Sequence, residues 1–219
     1  RVADLVVGVQ CGGSDWTTAL SANPVIGAMT DLVVAAGGSV LMSEVAGFPG
    51  SEHIVASRAA SHDVGLQVLD MISELRAEYI ETYGQKIEEV NPTPGNKAGG
   101  LTTILEKSLG AMAKGGTTNL TAVYDYAEPV TAKGFTFMDS PGYDPASVTG
   151  QIASGCNLVA FTTGRGSAFG SKPSPCMKIA TNTEMYDRLT DDMDIDAGRI
   201  LTGAATIESV GREIYEMWL

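Results

Sequence analysis

Short apolar runs alternate with amphipathic stretches along the whole chain. The continuous, β-branched run at residues 5–9 predicts a strand that is buried on both faces. Apolar residues spaced three and four apart, as between Val68 and Tyr79, instead predict one face of a helix over residues 63–83. Further strands are predicted at residues 39–42, 135–138, 158–162 and 177–180, and further helices at residues 145–153, 184–189 and 207–217.

Capping residues indicate where several helices begin. Asn23 directly before Pro24 predicts the N-cap and first position of one helix. Ser51 predicts the cap of another, which reaches about Ala60. Thr103 predicts a third helix start, because a glutamate three residues later fits a capping box.

Strands that alternate with helices imply βαβ units and a parallel sheet. The predicted fold class is therefore α/β, a mostly parallel sheet flanked by helices in three layers, within a single domain over residues 1–219. Residues 85–133 show the weakest pattern of strands and helices, and they are the candidate for a segment that lies outside this sheet. The prolines and glycines of residues 91–100 predict an irregular loop within that stretch.

Charge and cysteine content narrow the classes of function. The 219 residues carry a formal net charge of −12, which disfavours nucleic-acid binding because such binding needs a basic surface. Three cysteines do not suggest a disulfide framework, no apolar run is long enough to span a membrane, and no signal peptide is visible. A cytoplasmic protein is the simplest expectation. The chain starts at Arg1 without an initiator methionine, so we expect it to be part of a longer protein.

Small and polar residues follow each predicted strand. Ligands bind beyond the carboxyl ends of the strands in open parallel sheets, so these segments predict one polar pocket, although such residues are also common in ordinary turns. A nucleotide site is disfavoured because neither a G-x-G-x-x-G nor a P-loop sequence is present. The strand-end segments are residues 10–15, 43–44, 139–144, 162–167 and 181–183.

Three segments of the chain together resemble the altronate/galactarate dehydratase family. They are Gln10-Cys11-Gly12-Gly13-Ser14-Asp15 with Ala22-Asn23-Pro24, then Pro94-Gly95-Asn96-Lys97-Ala98-Gly99-Gly100, then Phe161-Thr162-Thr163-Gly164-Arg165-Gly166-Ser167. Residues 178–181 and 193–198 extend the match, and the motifs stand in the order of the family. The family also includes the large subunit of (2R)-sulfolactate sulfo-lyase.

The resemblance implies the C-terminal catalytic domain of a longer, cytoplasmic hydro-lyase with a Rossmann-like parallel sheet. It also implies an upstream domain, a homo-oligomer in the full-length form, and a divalent metal, usually Fe²⁺, with Mn²⁺ or Mg²⁺ as alternatives. The implied reaction is metal-assisted dehydration, a β-elimination of water, of a sugar acid such as altronate or galactarate to a keto-deoxy acid. The alternatives are a sulfolactate sulfo-lyase subunit and a non-catalytic carboxylate-binding or assembly domain.

Elimination next to a carboxylate needs a cation for the carboxylate, a base for the α-hydrogen, and an acid or metal for the departing hydroxyl. Arg165 is expected to clamp the carboxylate through its bidentate guanidinium, unless it only pairs with an acidic neighbour. Lys97 is a second cation, the base, or a solvated loop lysine. Lys178 either points into the pocket or flanks the sheet. Glu44 is a candidate base or metal ligand.

The remaining candidates would contact the metal or the substrate. Cys11 is a candidate metal ligand or a buried small side chain, and Asp194 is a candidate ligand or part of a solvated acidic turn. With two histidines in all, the chain cannot form a three-histidine zinc site. The residues expected to contact the substrate beside Arg165 are Ser14, Asp15, Asn96, Gly164 and Gly166.

Overall fold

A computed structural model describes residues 1–219, and its seven strands lie parallel in one sheet. The strands are β1 (Val6–Cys11), β2 (Ser39–Met42), β3 (Leu120–Tyr124), β4 (Gly134–Met138), β5 (Leu158–Thr163), β6 (Cys176–Ala180) and β7 (Ile195–Asp196). They are ordered β3-β4-β2-β1-β5-β6-β7 across the sheet. From β1 the chain builds the sheet to one side and then returns through β5 to the other, so the order reverses between β1 and β5.

Helices cover both faces of this sheet. They are α1 (Ala22–Ala35), α2 (Glu52–Ser57), α3 (His62–Tyr83), α4 (Ile87–Val90), α5 (Pro94–Ala98), α6 (Ile104–Met112), α7 (Asp144–Ala153), α8 (Thr183–Arg188) and α9 (Ile207–Met217). On one face, Ile26 and Met29 of α1 share the main hydrophobic core with Val7 and Val9 of β1. On the other face, Val148 of α7 packs against β5. The predicted three-layer, parallel α/β fold is therefore confirmed.

The stretch with the weakest pattern contains more regular structure than expected. The prediction of an irregular loop at residues 91–100 is wrong, because this segment contains α5. Thr93 accepts a hydrogen bond from the N–H of Asn96 and its own N–H is bonded to the Asn96 side chain, while Pro94 occupies the first turn. The chain between 85 and 133 also returns to the sheet as the edge strand β3. Proline and glycine thus mark the two ends of a short helix here.

One predicted cap is wrong, and a second is confirmed in its position only. The N-cap of α1 is Ser21, two residues before the expected position, and Asn23 instead donates to the carbonyl of Gly110. Ser51 is the N-cap of α2 as predicted, but its hydroxyl donates to the carbonyl of Phe48, and the helix ends at Ser57 before the expected Ala60. In both cases a tertiary or local partner competes for the polar side chain. No helix combines the length and the apolar character needed to cross a membrane.

Candidate active site

The carboxyl ends of the central strands meet at a cluster of reactive side chains. Cys11 is the last residue of β1, and Glu44 follows the end of β2 by two residues. The thiol of Cys11 lies 3.8 Å from Oε2 of Glu44. For these two residues, the expectation that the strand-end segments converge on one edge of the sheet is confirmed.

A fully buried lysine completes this cluster. Lys114 lies in the turn after α6, and its side chain is only 1% exposed. Its ammonium donates a hydrogen bond to Sγ of Cys11 at 3.1 Å and lies 3.9 Å from Oε2 of Glu44. The hydroxyl of Thr30 on α1 donates to the backbone carbonyl of Lys114 at 2.8 Å, which fixes the turn. An unpaired ammonium inside a protein is strongly unfavourable. The Cys11 thiol and the Glu44 carboxylate therefore compensate for the burial of Lys114.

A second lysine lines a cavity beside this cluster. Lys107 on α6 donates hydrogen bonds to Oδ1 of Asn91 at 2.9 Å and to Oδ1 of Asn96 at 3.0 Å. Asn96 in turn donates to the carbonyl of Ser14 at 3.1 Å, which ties α5 to the loop after β1. Together with the Cys11 thiol and the Glu44 carboxylate, Lys107 lines a cavity of about 100 Å³. This volume suits a carboxylate group or a few water molecules, since one water occupies about 30 Å³.

Burial and charge shift the pKa values of the groups around this cavity. Burial raises the pKa of Glu44, and the nearby charge of Asp144 adds to that effect, whereas Lys114 and Lys107 oppose it. Burial also raises the pKa of Asp144. For Lys114, burial alone would lower the pKa, but Cys11 and Glu44 outweigh it, so the pKa stays above its usual value. The site therefore combines a carboxylate with raised proton affinity and a fixed ammonium, which suits proton removal beside a carboxylate.

Buried hydroxyl groups hold the backbone of Glu44 in place. Glu44 adopts a left-handed conformation with a φ of 70°, and its N–H donates to Oγ of Ser140 at 2.8 Å. Oγ of Ser140 lies 3.1 Å from Oγ of Ser147, which also contacts Oγ of Ser43 at 2.7 Å and donates to Oε1 of Gln10 at 3.0 Å. A left-handed backbone is unfavourable for glutamate, so this network maintains the direction of the Glu44 side chain.

Arg165 lies in a separate, open groove beyond the end of β5. It is exposed, it forms no ion pair, and its guanidinium packs so closely on α5 that a Cβ added at Gly95 would lie 2.6 Å from Nη2. Arg188 and Asn182 line the same groove, which encloses about 790 Å³. The groove therefore presents two guanidinium groups to solvent, and such groups suit a carboxylate ligand.

The buried carboxylate of Asp15 joins the loops between the cavity and the groove. It accepts hydrogen bonds of 2.8–3.2 Å from neighbours in its own loop and in the loop after β6. The donors are Thr17, Thr18, Thr181 and Asn182. A Cβ added at Gly164 would overlap the Asp15 carboxyl, so this position after β5 admits only glycine without rearrangement. Asp15 thus fixes the loops after β1, β5 and β6 relative to one another.

The other residues expected at the substrate shape the surrounding backbone. Gly164 lines the groove, and Gly166 turns the chain with a φ of 96° while its N–H donates to the hydroxyl of Thr163. Ser14 is buried and lines a small gap between the groove and the cavity. Asn96 is buried beneath the surface as the partner of Lys107.

Three further candidates lie away from the cavity. Lys97 is exposed on α5 and lines neither the cavity nor the groove. Lys178 lies within β6, and its ammonium donates to the carbonyl of Ser167 at 2.6 Å. Asp194 accepts a hydrogen bond from the N–H of Lys178 at 2.7 Å. The structure therefore joins Lys178 and Asp194 to each other and does not bring them to Glu44.

The two candidate metal ligands do not share a site within this chain. Cys11 ends β1 and Asp194 precedes β7, with β5 and β6 between them, which is roughly 14 Å at about 4.8 Å per strand. No three histidine, cysteine, aspartate or glutamate side chains come together in a group that could hold a metal. Beside Cys11 and Glu44, the Lys114 ammonium already supplies a positive charge. The donors of this chain alone do not fit a metal centre.

The residues missed by sequence reasoning are two lysines, Lys107 in the cavity wall and Lys114 buried beside Cys11. Lys107 lies on an amphipathic helix, where a lysine is ordinarily solvated. Lys114 lies between an alanine and two glycines, Gly115 and Gly116, and such small neighbours were the only signal of a crowded position. Its closest side-chain partner is 103 residues away in sequence, so no local pattern predicts its burial.

Comparison with known proteins identifies relatives over almost the whole of this chain. A family model described as D-galactarate/altronate dehydratase, C-terminal, matches residues 2–219. The chain is 39% identical to galactarate dehydratase (L-threo-forming) of Escherichia coli, over 99% of this chain and 41% of that protein. It is 39% identical to altronate dehydratase of Bacillus subtilis, over 97% of this chain and 42% of that protein.

A third relative belongs to a different reaction class. The chain is 33% identical to the (2R)-sulfolactate sulfo-lyase subunit beta of Chromohalobacter salexigens, over 100% of this chain and 56% of that protein. The chain thus spans about two fifths to just over half the length of the curated relatives that it matches.

Proposed function

Because this chain belongs to the D-galactarate/altronate dehydratase family, we propose that it forms the C-terminal catalytic part of a sugar-acid dehydratase. The reaction is the β-elimination of water from a hexonate or hexarate to give a keto-deoxy acid. The observation that carries this proposal is the buried Cys11–Glu44–Lys114 cluster at the carboxyl edge of a parallel sheet, where ligands bind in folds of this kind.

Glu44 is the proposed base. In the elimination, a base takes the hydrogen from the carbon beside the carboxylate, and the electron pair of that C–H bond forms the new double bond as the neighbouring hydroxyl leaves. Burial raises the pKa of Glu44, which strengthens it as a proton acceptor. The resulting enol then rearranges to the keto form.

Lys107 and Lys114 are the proposed stabilisers of negative charge. Charge accumulates on the carboxylate oxygens as the α-hydrogen is removed, and fixed cations in a water-poor site stabilise that charge. Lys114 is fixed by burial, and Lys107 is oriented by two asparagine side chains. Lys107 is also in a position to protonate the departing hydroxyl, because it lines the cavity.

Arg165 is proposed to bind a second anionic group of the substrate. A hexarate carries a carboxylate at each end, and the groove with Arg165 and Arg188 lies next to the cavity, separated from it by the gap that Asp15 lines. Lys97, Lys178 and Asp194 remain sequence-based candidates, and their positions favour supporting roles over contact with the reacting carbons.

A divalent metal, Fe²⁺ or alternatively Mn²⁺ or Mg²⁺, remains part of the proposal for the longer protein. Since this chain contributes at most Cys11 and Glu44 as neighbouring donors, the remaining ligands would come from the rest of that protein. A cytoplasmic location and assembly into a homo-oligomer also belong to the proposal. Three free cysteines suit a reducing compartment.

The decisive experiment is a substrate panel on the intact protein that contains this chain. We expect a keto-deoxy acid from galactarate or altronate, assayed with Fe²⁺ under reducing conditions, with metal content measured on the same sample. Release of sulfite from (2R)-sulfolactate without turnover of any sugar acid would instead support the sulfo-lyase reaction of the third relative. Binding of sugar acids without any product would support the non-catalytic alternative.

A further inference from the structure

Cys11 and Lys114 form a buried thiol–amine pair, and the proposed elimination gives the Cys11 thiol no part in proton transfer. The structure assigns these two residues to a site of oxidative modification, in which a peroxide couples the Cys11 sulfur covalently to the Lys114 nitrogen. The formation of this cross-link does not depend on the proposed function, whereas its effect on turnover does.

The geometry brings the two reacting atoms into direct contact. Sγ of Cys11 and Nζ of Lys114 are 3.1 Å apart, and both side chains are buried. The backbone carbonyl of Lys114 accepts a hydrogen bond from Thr30, and its side chain is only 1% exposed. A bond between the two atoms therefore needs only a small approach and no rearrangement of the fold.

The other two cysteines lack such a partner. Cys156 is buried among apolar side chains, and burial raises its pKa to about 12. Burial likewise raises the pKa of Cys176 to about 11. Neither thiol forms a hydrogen bond with a lysine, so the thiol–amine pair is specific to Cys11 among the three free cysteines.

An oxidant can reach the Cys11 sulfur through the cavity that Glu44 and Lys107 also line. Cys11 and Glu44 both line the cavity of about 100 Å³, which is large enough for a molecule of the size of water or hydrogen peroxide. The cavity that admits substrate thus also exposes the sulfur to small polar oxidants.

The chemistry balances in two steps. First, hydrogen peroxide oxidises the Cys11 thiol to a sulfenic acid and is reduced to water. Second, the Lys114 ammonium gives a proton to the Glu44 carboxylate, the freed nitrogen lone pair attacks sulfur, and the S–O bond breaks. The departing hydroxide takes the proton from Glu44 and leaves as water, and the second ammonium proton passes to solvent. One thiol, one ammonium and one peroxide thus give one S–N bond, two waters and one proton.

The cross-link would abolish turnover reversibly. It removes the positive charge of Lys114 beside Glu44, and it consumes the thiol that lines the cavity. Attack of an added thiol on the S–N bond releases the lysine amine and leaves Cys11 as a mixed disulfide, which a second thiol reduces. Turnover would then return together with the free amine.

The test treats the intact, reduced protein with hydrogen peroxide and maps the products by peptide mass spectrometry without reduction. We expect one linked pair of peptides, containing Cys11 and Lys114, lighter than the sum of its parts by two hydrogen atoms and dissociated by dithiothreitol. The linked fraction should rise in parallel with loss of turnover. Sulfinic or sulfonic acid at Cys11 without the link, or no oxidation of Cys11, would overturn the proposal.

Two variants sharpen this test. In Lys114→Met, which keeps an unbranched side chain one atom shorter than lysine, the link must be absent while Cys11 still oxidises. In Cys156→Ser, the link must form as in the unchanged protein. If Lys114→Met does not fold, the peptide map of the unchanged protein decides the matter alone, and it does so even if no sugar acid is a substrate.

Discussion

The backbone N–H of Glu44 donates a hydrogen bond to the hydroxyl of Ser140 at 2.8 Å while Glu44 itself holds a left-handed backbone. Such a conformation in a residue other than glycine costs about 1–3 kcal/mol and persists only where surrounding contacts impose it. The position of Glu44, the proposed base, is therefore set by Ser140, which lies in the loop after the neighbouring strand β4.

Ser140→Ala tests this relationship. The substitution leaves the Glu44 N–H without its acceptor, so we expect a loss of about 1–3 kcal/mol in the free energy of unfolding. Turnover per folded molecule should fall as well, because the Glu44 side chain loses its fixed direction. Denaturant unfolding and initial rates on the same preparation measure both effects. Ser57→Ala, at an exposed serine on α2, is the matched control and should change neither.

Glu44→Gln tests the proposed base directly. Loss of a general base lowers the rate by about a hundred- to ten-thousand-fold, so we expect that range in kcat while far-ultraviolet circular dichroism stays unchanged. Glu81→Gln, at an exposed glutamate on α3, is the control with the same change of charge. A variant at Glu44 with full activity would remove this residue from the mechanism.

The pH dependence of turnover should report the environment of Glu44. Burial raises the pKa of its carboxyl, so the group holds its proton to a higher pH than an ordinary glutamate. A base acts only when deprotonated, and activity should therefore be low in acid and rise as pH passes through the raised pKa. A rate profile whose acidic limb falls at the ordinary glutamate value would contradict this assignment.

Arg165→Lys separates a binding role from a structural one. Lysine keeps the charge but cannot form a bidentate pair, and loss of a charge-assisted hydrogen bond costs roughly 1.5–3 kcal/mol, or about ten- to a hundred-fold in kcat/KM. Arg165 is exposed and forms no ion pair, so the melting temperature should hardly change. A lower melting temperature with full activity per folded molecule would instead indicate a structural arginine.

Gly164→Ala should destabilise the junction of three loops. The added Cβ would overlap the carboxyl of Asp15, which is held by four side chains and cannot easily move. Overpacking of this kind costs about 1–3 kcal/mol. Gly170→Ala is the matched control, because nothing lies within 4 Å of its added Cβ. Equal midpoints of denaturant unfolding for the two variants would argue against the described packing.

Much of the fold could be predicted from the sequence, because each central strand is a continuous apolar run with turn residues after it. That pattern also located Cys11 and Glu44 at strand ends, and the parallel sheet then placed their side chains 3.8 Å apart. The edge strand β3 escaped prediction because its three central residues are only partly buried and because it follows a polar, glycine-containing stretch. The helix α5 also escaped prediction. Its proline and glycine mark the two ends of a helix, but the same residues are common in loops, so composition alone does not distinguish the two.

The sequence by itself determined the class of fold, the family and the edge of the sheet where chemistry should occur, because periodicity and short motifs are local properties. Only the tertiary structure decided which charges meet there. Lys114 becomes a partner of Cys11 across 103 residues, while Lys97 in a family motif stays exposed. The physical reason is that burial of a charge depends on compensating groups from distant segments, and these come together only when the sheet has formed.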